Sequence, residues 1–335
     1  MSIEIPDPRF RLAASQVLDE RSTQITVLSR GVLDVTDTNP ASQLWQASRR
    51  LRAAMEIFRP CLSRNDYRAG RGEARRIGRV VGARRDADVM IASWEEIGAE
   101  MSPAEADGIS RLVDQLRRQQ AAANRELAQV VHGRRIQAFR VTFEEIADAA
   151  VGTEAADRAD EYRPVEALPP ETVALVLKRL DRLRASAPKG VETGEVEDLR
   201  KMGIGAERLR YALELTGDAL GTQAHTARRA ARGLQEILGQ IRDCGISVPP
   251  GRELTSELEG EDVRTMVERS RGNRELDPVL VQAAPNRAAY RGLELGIIHL
   301  VAKQKLLHER LKRLWLEQSR QGVWVALETS LKVES

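Results

Sequence analysis

From Leu44 onward, Leu44, Ala47, Leu51, Met55, Phe58 and Leu62 recur at intervals of three and four residues. That spacing lays one apolar stripe along an α-helix, whereas a strand needs alternation at every second residue. Asn39 suits the N-cap and Pro40 the first helical position, so the helix is predicted to begin there. Pro60 is predicted to end or kink it. The same period marks Ile109 to Val131, Thr172 to Leu183, Val196 to Leu220, His225 to Ile241 and Ala288 to Leu316, and no convincing alternating run occurs. Aromatic residues are only 4% of the chain, which argues against a sandwich or barrel. With 42% hydrophobic residues there is enough apolar surface to bury a core. The fold class expected is all-α.

Two short patterns occur twice. SRRLRAAMEIF at Ser48 to Phe58 is similar to AERLRYALELT at Ala206 to Thr216. VVGARRDADV at Val80 to Val89 is similar to ILGQIRDCGI at Ile237 to Ile246. The offsets are nearly equal, 158 and 157 residues, which points to an internal duplication. Each half is then expected to be one helical bundle, with the halves paired by pseudo-symmetry. The expected division is an N-terminal extension 1–30, a first repeat 31–147, a linker 148–171, a second repeat 172–321 and a tail 322–335. The linker rests on acidic, alanine-rich sequence with Pro164, Pro169 and Pro170. A second loop is expected from Val248 to about Arg287, on Pro249, Pro250, Gly251 and the run ELEGED.

The net charge of +2 conceals an uneven distribution. Trp45 to Arg85 holds twelve arginines against Glu56, Asp66 and Glu73. Arg200 to Arg242 holds eight basic residues against four acidic ones. Such segments attract polyanions whatever the whole-chain charge. Forty-five of the 52 basic residues are arginine, whose planar fork matches phosphate oxygens, although a coding bias gives the same composition. No run of about 18 apolar residues occurs, so no membrane span is expected. The N-terminus lacks a secretory pattern, and Cys61 and Cys244 cannot make a disulfide framework. A reducing, cytoplasmic location is the expectation.

The duplicated motifs resemble those of the CHAD family, the conserved histidine α-helical domain. Its members carry H-x-x-R-x-x-x-R-R-L-R and then G-x-x-R-D-x-D-V. The counterparts here are QLWQASRRLRAAMEIF with VGARRDADV, and DLRKMGIGAERLRYALEL with LGQIRDCGI. The resemblance spans about Val32 to Gln321. It implies two pseudo-symmetric antiparallel four-helix bundles whose basic residues face a central cavity or pore. It also implies non-catalytic binding of inorganic polyphosphate, with CYTH-type or granule-associated proteins as companions.

The family histidine falls at Ser42 and Arg200, and the next arginine at Trp45 and Gly203. In the second repeat the following basic position is Glu207. At about 100° per residue, Ser42, Trp45, Arg49 and Arg52 form one stripe, and Arg200, Gly203, Glu207 and Arg210 form its counterpart. Four of these eight positions cannot carry a cation, and a phosphate chain would meet repulsion at Glu207. The candidate polyanion-binding residues are Arg49, Arg52, Arg200 and Arg210, followed by Arg85 and Arg242. Arg50 and Arg208 lie on the other flank. Arg59, Arg75, Arg76, Arg79, Arg228, Arg229 and Arg232 are possible compensators. Trp45 either stacks on a base or an arginine or plugs a cavity, with Gly203 opposite leaving room.

Asp86 and Asp88 could hold Mg²⁺ against a phosphate, yet ion pairs such as Arg84 to Asp88 explain them as well. No HExxH, CxxC or Walker pattern occurs. The expectation is a binding module without catalysis, metal or organic cofactor, whose ligand is polyphosphate or a related polyanion. Nucleic acid remains a rival ligand. The rival function is a scaffold or protein-interaction module of the same fold that has lost polyphosphate.

Overall fold

The computed structural model describes residues 6–151, 168–271 and 275–333. Among them every regular element is helical: α1 Pro8–Leu28, α2 Asn39–Ile57, a 3₁₀ turn Arg59–Cys61, α3 Arg64–Gly98, α4 Pro103–Val131 and α5 Gly133–Val151. There follow α6 Pro170–Thr193, α7 Val196–Arg269, α8 Val279–Gln282, α9 Arg287–Arg320 and α10 Val323–Val333. No described helix is long and apolar enough to cross a membrane.

The α2 stripe is buried as its spacing requires, with Leu44, Leu51 and Met55 fully enclosed. Its start differs from expectation. Thr38 is the N-cap and makes no side-chain cap bond, so Asn39 and Pro40 are already helical. The Asn39 amide donates instead to Asp37 Oδ1 at 2.9 Å. The helix ends before Pro60, as a missing amide demands.

The break between Val196 to Leu220 and His225 to Ile241 comes at Gly221, whose φ of 74° only glycine adopts at little cost. The loop expected from Val248 to Arg287 is corrected: α7 runs on through Pro249 and Pro250 to Arg269. Prolines do cost a helix two amide donors here. Packing offsets that loss. Val248, Leu254 and Leu258 are buried, and Trp94 Nε1 donates to the Ser247 carbonyl at 3.0 Å, beside the proline pair. Most of the linker, residues 152–167, lies outside the described residues; its ends, 148–151 and 170–171, are helical.

The chain divides into two compact units. The first comprises Met1–Arg85, Ala123–Gly239 and Glu309–Ser335. Its core includes Phe10 against Phe58 at 5.1 Å between ring centres, and Phe139 against Phe143 at 4.8 Å. Helix α1, within the expected extension, packs on α2 and α5 and buries Phe10, Leu18 and Ile25. Helix α10, within the expected tail, buries Trp324, Leu327 and Leu331 and packs on α6.

The second unit comprises Asp86–Ala122 and Gln240–His308. Trp94, Leu112, Leu116, Leu258 and Leu293 lie in its core. Gly108 and Gly292 let two backbones touch. A Cβ on Gly108 would sit 2.1 Å from the Ala289 oxygen, and one on Gly292 2.1 Å from the Glu105 oxygen.

Candidate functional site

The two RLR helices face one another inside the first unit. Arg49 of α2 and Glu207 of α7 form an ion pair. Glu207 is 6% exposed, and burial pushes its carboxyl above the ordinary range while Arg49, Arg52 and Arg210 pull it back. Arg52 Nε is buried with no hydrogen-bond partner. Burial first, then the neighbouring Arg49, lowers the affinity of Arg52 for its proton. The Arg210 guanidinium bonds Gln235, reaches Glu214 at 3.5 Å and lies 4.2 Å from the Tyr211 ring centre. Glu214 also takes Arg21 at 2.8 Å and Arg50 at 3.4 Å. Arg21, Arg49, Arg50, Arg52 and Arg210 thus gather about Glu207 and Glu214, with Glu56 also acting on Arg52.

The other sequence candidates are scattered. Arg200 is exposed and its guanidinium donates twice to Glu197 one helical turn away, at 2.7 and 2.8 Å. Arg85 lies 5.3 Å from the Trp45 ring centre and Arg49 4.3 Å from it, so Trp45 stacks on arginines. Its room comes from Gly82 rather than Gly203: a Cβ on Gly82 would meet Trp45 Nε1 at 3.2 Å, whereas one on Gly203 would meet only Leu238.

In the second unit Arg242 Nη2 donates to both Asp86 oxygens at 2.7 Å, and Asp88 accepts from Gln120 Nε2 at 2.6 Å. Each aspartate thereby has a protein partner where a cation was considered. Among the compensators, Arg76 pairs with Glu73 at 2.6 Å and Arg232 with Glu236 at 2.8 Å. Burial raises both cysteine thiols, Cys61 to about 12.

A cavity of about 490 Å³ opens between α6 and the start of α7, lined by Arg179, Arg182, Lys189, Lys201 and Arg208 with Asp198. Sequence reasoning missed it. The available signal was Arg179, which falls in the buried stripe of Val173, Val176, Leu180 and Leu183. An arginine at a core position needs a partner. Arg179 is 3% exposed; its Nη2 lies 2.6 Å from Glu56 and its Nη1 donates to the Arg208 carbonyl at 3.1 Å.

No protein with a curated description matches the chain. Solved structures share its fold, two of them as follows. The CHAD domain from the plant Ricinus communis is 20% identical, with a TM-score of 0.56, over 85% of this chain and 91% of that one. PptA from Streptomyces chartreusis is 14% identical, with a TM-score of 0.57, over 91% of this chain and 98% of that one. The family model described as CHAD domain matches residues 16–248, a span that holds both RLR motifs and both Arg-Asp pairs. With the all-α fold and the two arginine-bearing helices in hand, this chain belongs to the CHAD domain family.

Proposed function

We propose that the protein is a non-catalytic module that binds inorganic polyphosphate or a related polyanion at the Glu207 cluster. One observation carries the reading: five arginines from α1, α2 and α7 share Glu207 and Glu214, with Glu56 also acting on Arg52, which leaves positive charge undischarged. Guanidinium groups bind phosphate oxygens through charge-assisted bonds that outlast competition from water. Glu207 acts as a built-in counter-anion, and a phosphate chain must compete with it for Arg49. Arg49, Arg52 and Arg210 are the proposed contacts here, with Arg85 beside Trp45 at the margin. Arg200 and Arg242 are weaker contributors, since Glu197 and Asp86 already engage them.

The scaffold reading is favoured by that same carboxylate. If Glu207 serves only to close the site, the arginines stabilise the fold and bind nothing. Titration with long-chain polyphosphate near physiological salt separates the two, with heparin and single-stranded DNA as controls. Arg49→Glu is expected to abolish polyphosphate binding. Glu207→Gln is expected to strengthen it about tenfold, the worth of one charge-assisted contact. No binding by the native chain, or affinity indifferent to both substitutions, establishes the scaffold. Equal affinity for all three polyanions with a steep salt slope would mark non-specific attraction instead.

A further inference from the structure

The cavity between α6 and α7 lies on a different flank of α7 from the family stripe. Lys201, Ile204, Gly205 and Arg208 line it, whereas the stripe runs through Arg200, Gly203, Glu207 and Arg210. At 100° per residue the two sets are centred about 130° apart. The cavity therefore draws on side chains that the Glu207 cluster does not use.

Its charge is strongly one-sided. Five cations line it against Asp198 alone. Lys189 at 3.6 Å and Lys201 at 3.9 Å share that carboxylate, Lys201 also reaches Glu197 at 3.7 Å, and Glu56 engages Arg179. Among the described residues no carboxylate pairs with the guanidinium of Arg182 or Arg208, both of which are exposed. Both stand near enough to Arg179 to lower its hold on its proton, after burial has done so first. Three arginines of like charge are thus held together at one mouth, an arrangement that costs stability unless an anion relieves it. Arg179 is fixed there by Glu56 and by the Arg208 carbonyl, so one cation of the three is positioned in advance.

We propose that this cavity is a second, separate site for a compact oligophosphate group two or three phosphates long. The volume of about 490 Å³ suits a small ligand and is too small to enclose a long chain. Arg182 and Arg208 grip the outer phosphates, and Lys201 and Lys189 turn from Asp198 toward the ligand. Ala185, Ile204 and Gly205 form an apolar floor. That floor gives an esterified oligophosphate a surface that the inorganic ion cannot use.

Isothermal titration of the full chain tests this, with inorganic tripolyphosphate in one arm and ATP in the other, both without added metal. Sodium sulfate at matched ionic strength is the control. The native chain should bind tripolyphosphate at one site and sulfate far more weakly. Tighter binding of ATP would show that the floor is used, and equal binding that only the phosphates are read. Arg182→Ala/Arg208→Ala should weaken both about a hundredfold, roughly tenfold for each lost charge-assisted contact.

Both arginines are exposed, so the variant should keep the native circular dichroism and, with the like charges removed, melt no lower than the native chain. It should also keep its affinity for long-chain polyphosphate, which Arg49→Glu removes; Arg49→Glu should leave tripolyphosphate binding intact. Absent tripolyphosphate binding in the native chain, or binding that the double substitution does not change, overturns the site. Either result leaves the long-chain titration to judge the Glu207 cluster on its own.

Discussion

At the scale of the residue, Glu207 sets the charge balance where α2 meets α7. Its position in the motif was legible, and so was its unfavourable sign for a phosphate chain. Its partner was not, because an ion pair between Arg49 and Glu207 depends on two helices meeting. Burial raises the Glu207 carboxyl above its ordinary 4.5. A carboxyl raised in the folded state binds more protons there than in the unfolded chain. Its contribution to stability is therefore present below pH 4.5 and is lost as pH rises through the raised value. Glu207→Gln should remove that decline. Urea unfolding followed from pH 4 to pH 8 should show the native chain losing stability, relative to the variant, as pH rises. Parallel pH profiles would mean that Glu207 titrates normally. Trp45 teaches the same point from another side: its stacking on arginine was foreseen as one alternative, and its neighbour Gly82 was not.

At the scale of the element, most helices could be read from apolar spacing, and Gly221 marked the break in α7. Pro249 and Pro250 misled, because proline is a strong local signal against a helix interior. The helix persists where it is packed on Trp94, whose indole donates to the Ser247 carbonyl and whose ring lies on Gly251, where a Cβ would sit 2.6 Å from it. The contact of α4 with α9 makes a further prediction. At Gly108 and Gly292 an added methyl would strike a carbonyl oxygen of the facing backbone, which cannot swing aside as a side chain can. Gly108→Ala or Gly292→Ala should each cost about 2–4 kcal/mol in thermal or urea unfolding, the upper range for overpacking and backbone shift. Gly72→Ala, where nothing stands within 4 Å, should be neutral or slightly stabilising. A near-neutral Gly108→Ala would show that the backbones separate easily.

At the scale of the whole molecule, each unit is assembled from chain segments far apart in sequence. In the first unit Arg21 meets Glu214, Glu56 meets Arg179, and the Thr172 hydroxyl donates to the Ile57 carbonyl at 3.4 Å. In the second, Trp94 meets Ser247 and Gly108 meets Ala289. Every one of these contacts joins residues before 152 to residues after 167. Fragments 1–151 and 168–335, purified apart, should each melt without a cooperative transition. Mixed, they should co-elute as one species and recover a cooperative melt. A sharp independent melt of either fragment would show that it holds a self-sufficient core.

The sequence by itself determined the helical class, the buried stripe of α2 and the two arginine helices, because each follows from local spacing and residue type. The tertiary structure alone decided which charges meet. The pairing of Arg49 with Glu207, the partner of buried Arg179 and the cation-lined cavity between α6 and α7 all depend on distances across the fold. So did the fate of the proline pair, where burial against Trp94 outweighed the local rule. A charge has no periodicity to betray its partner, and only the packed helices bring the two together.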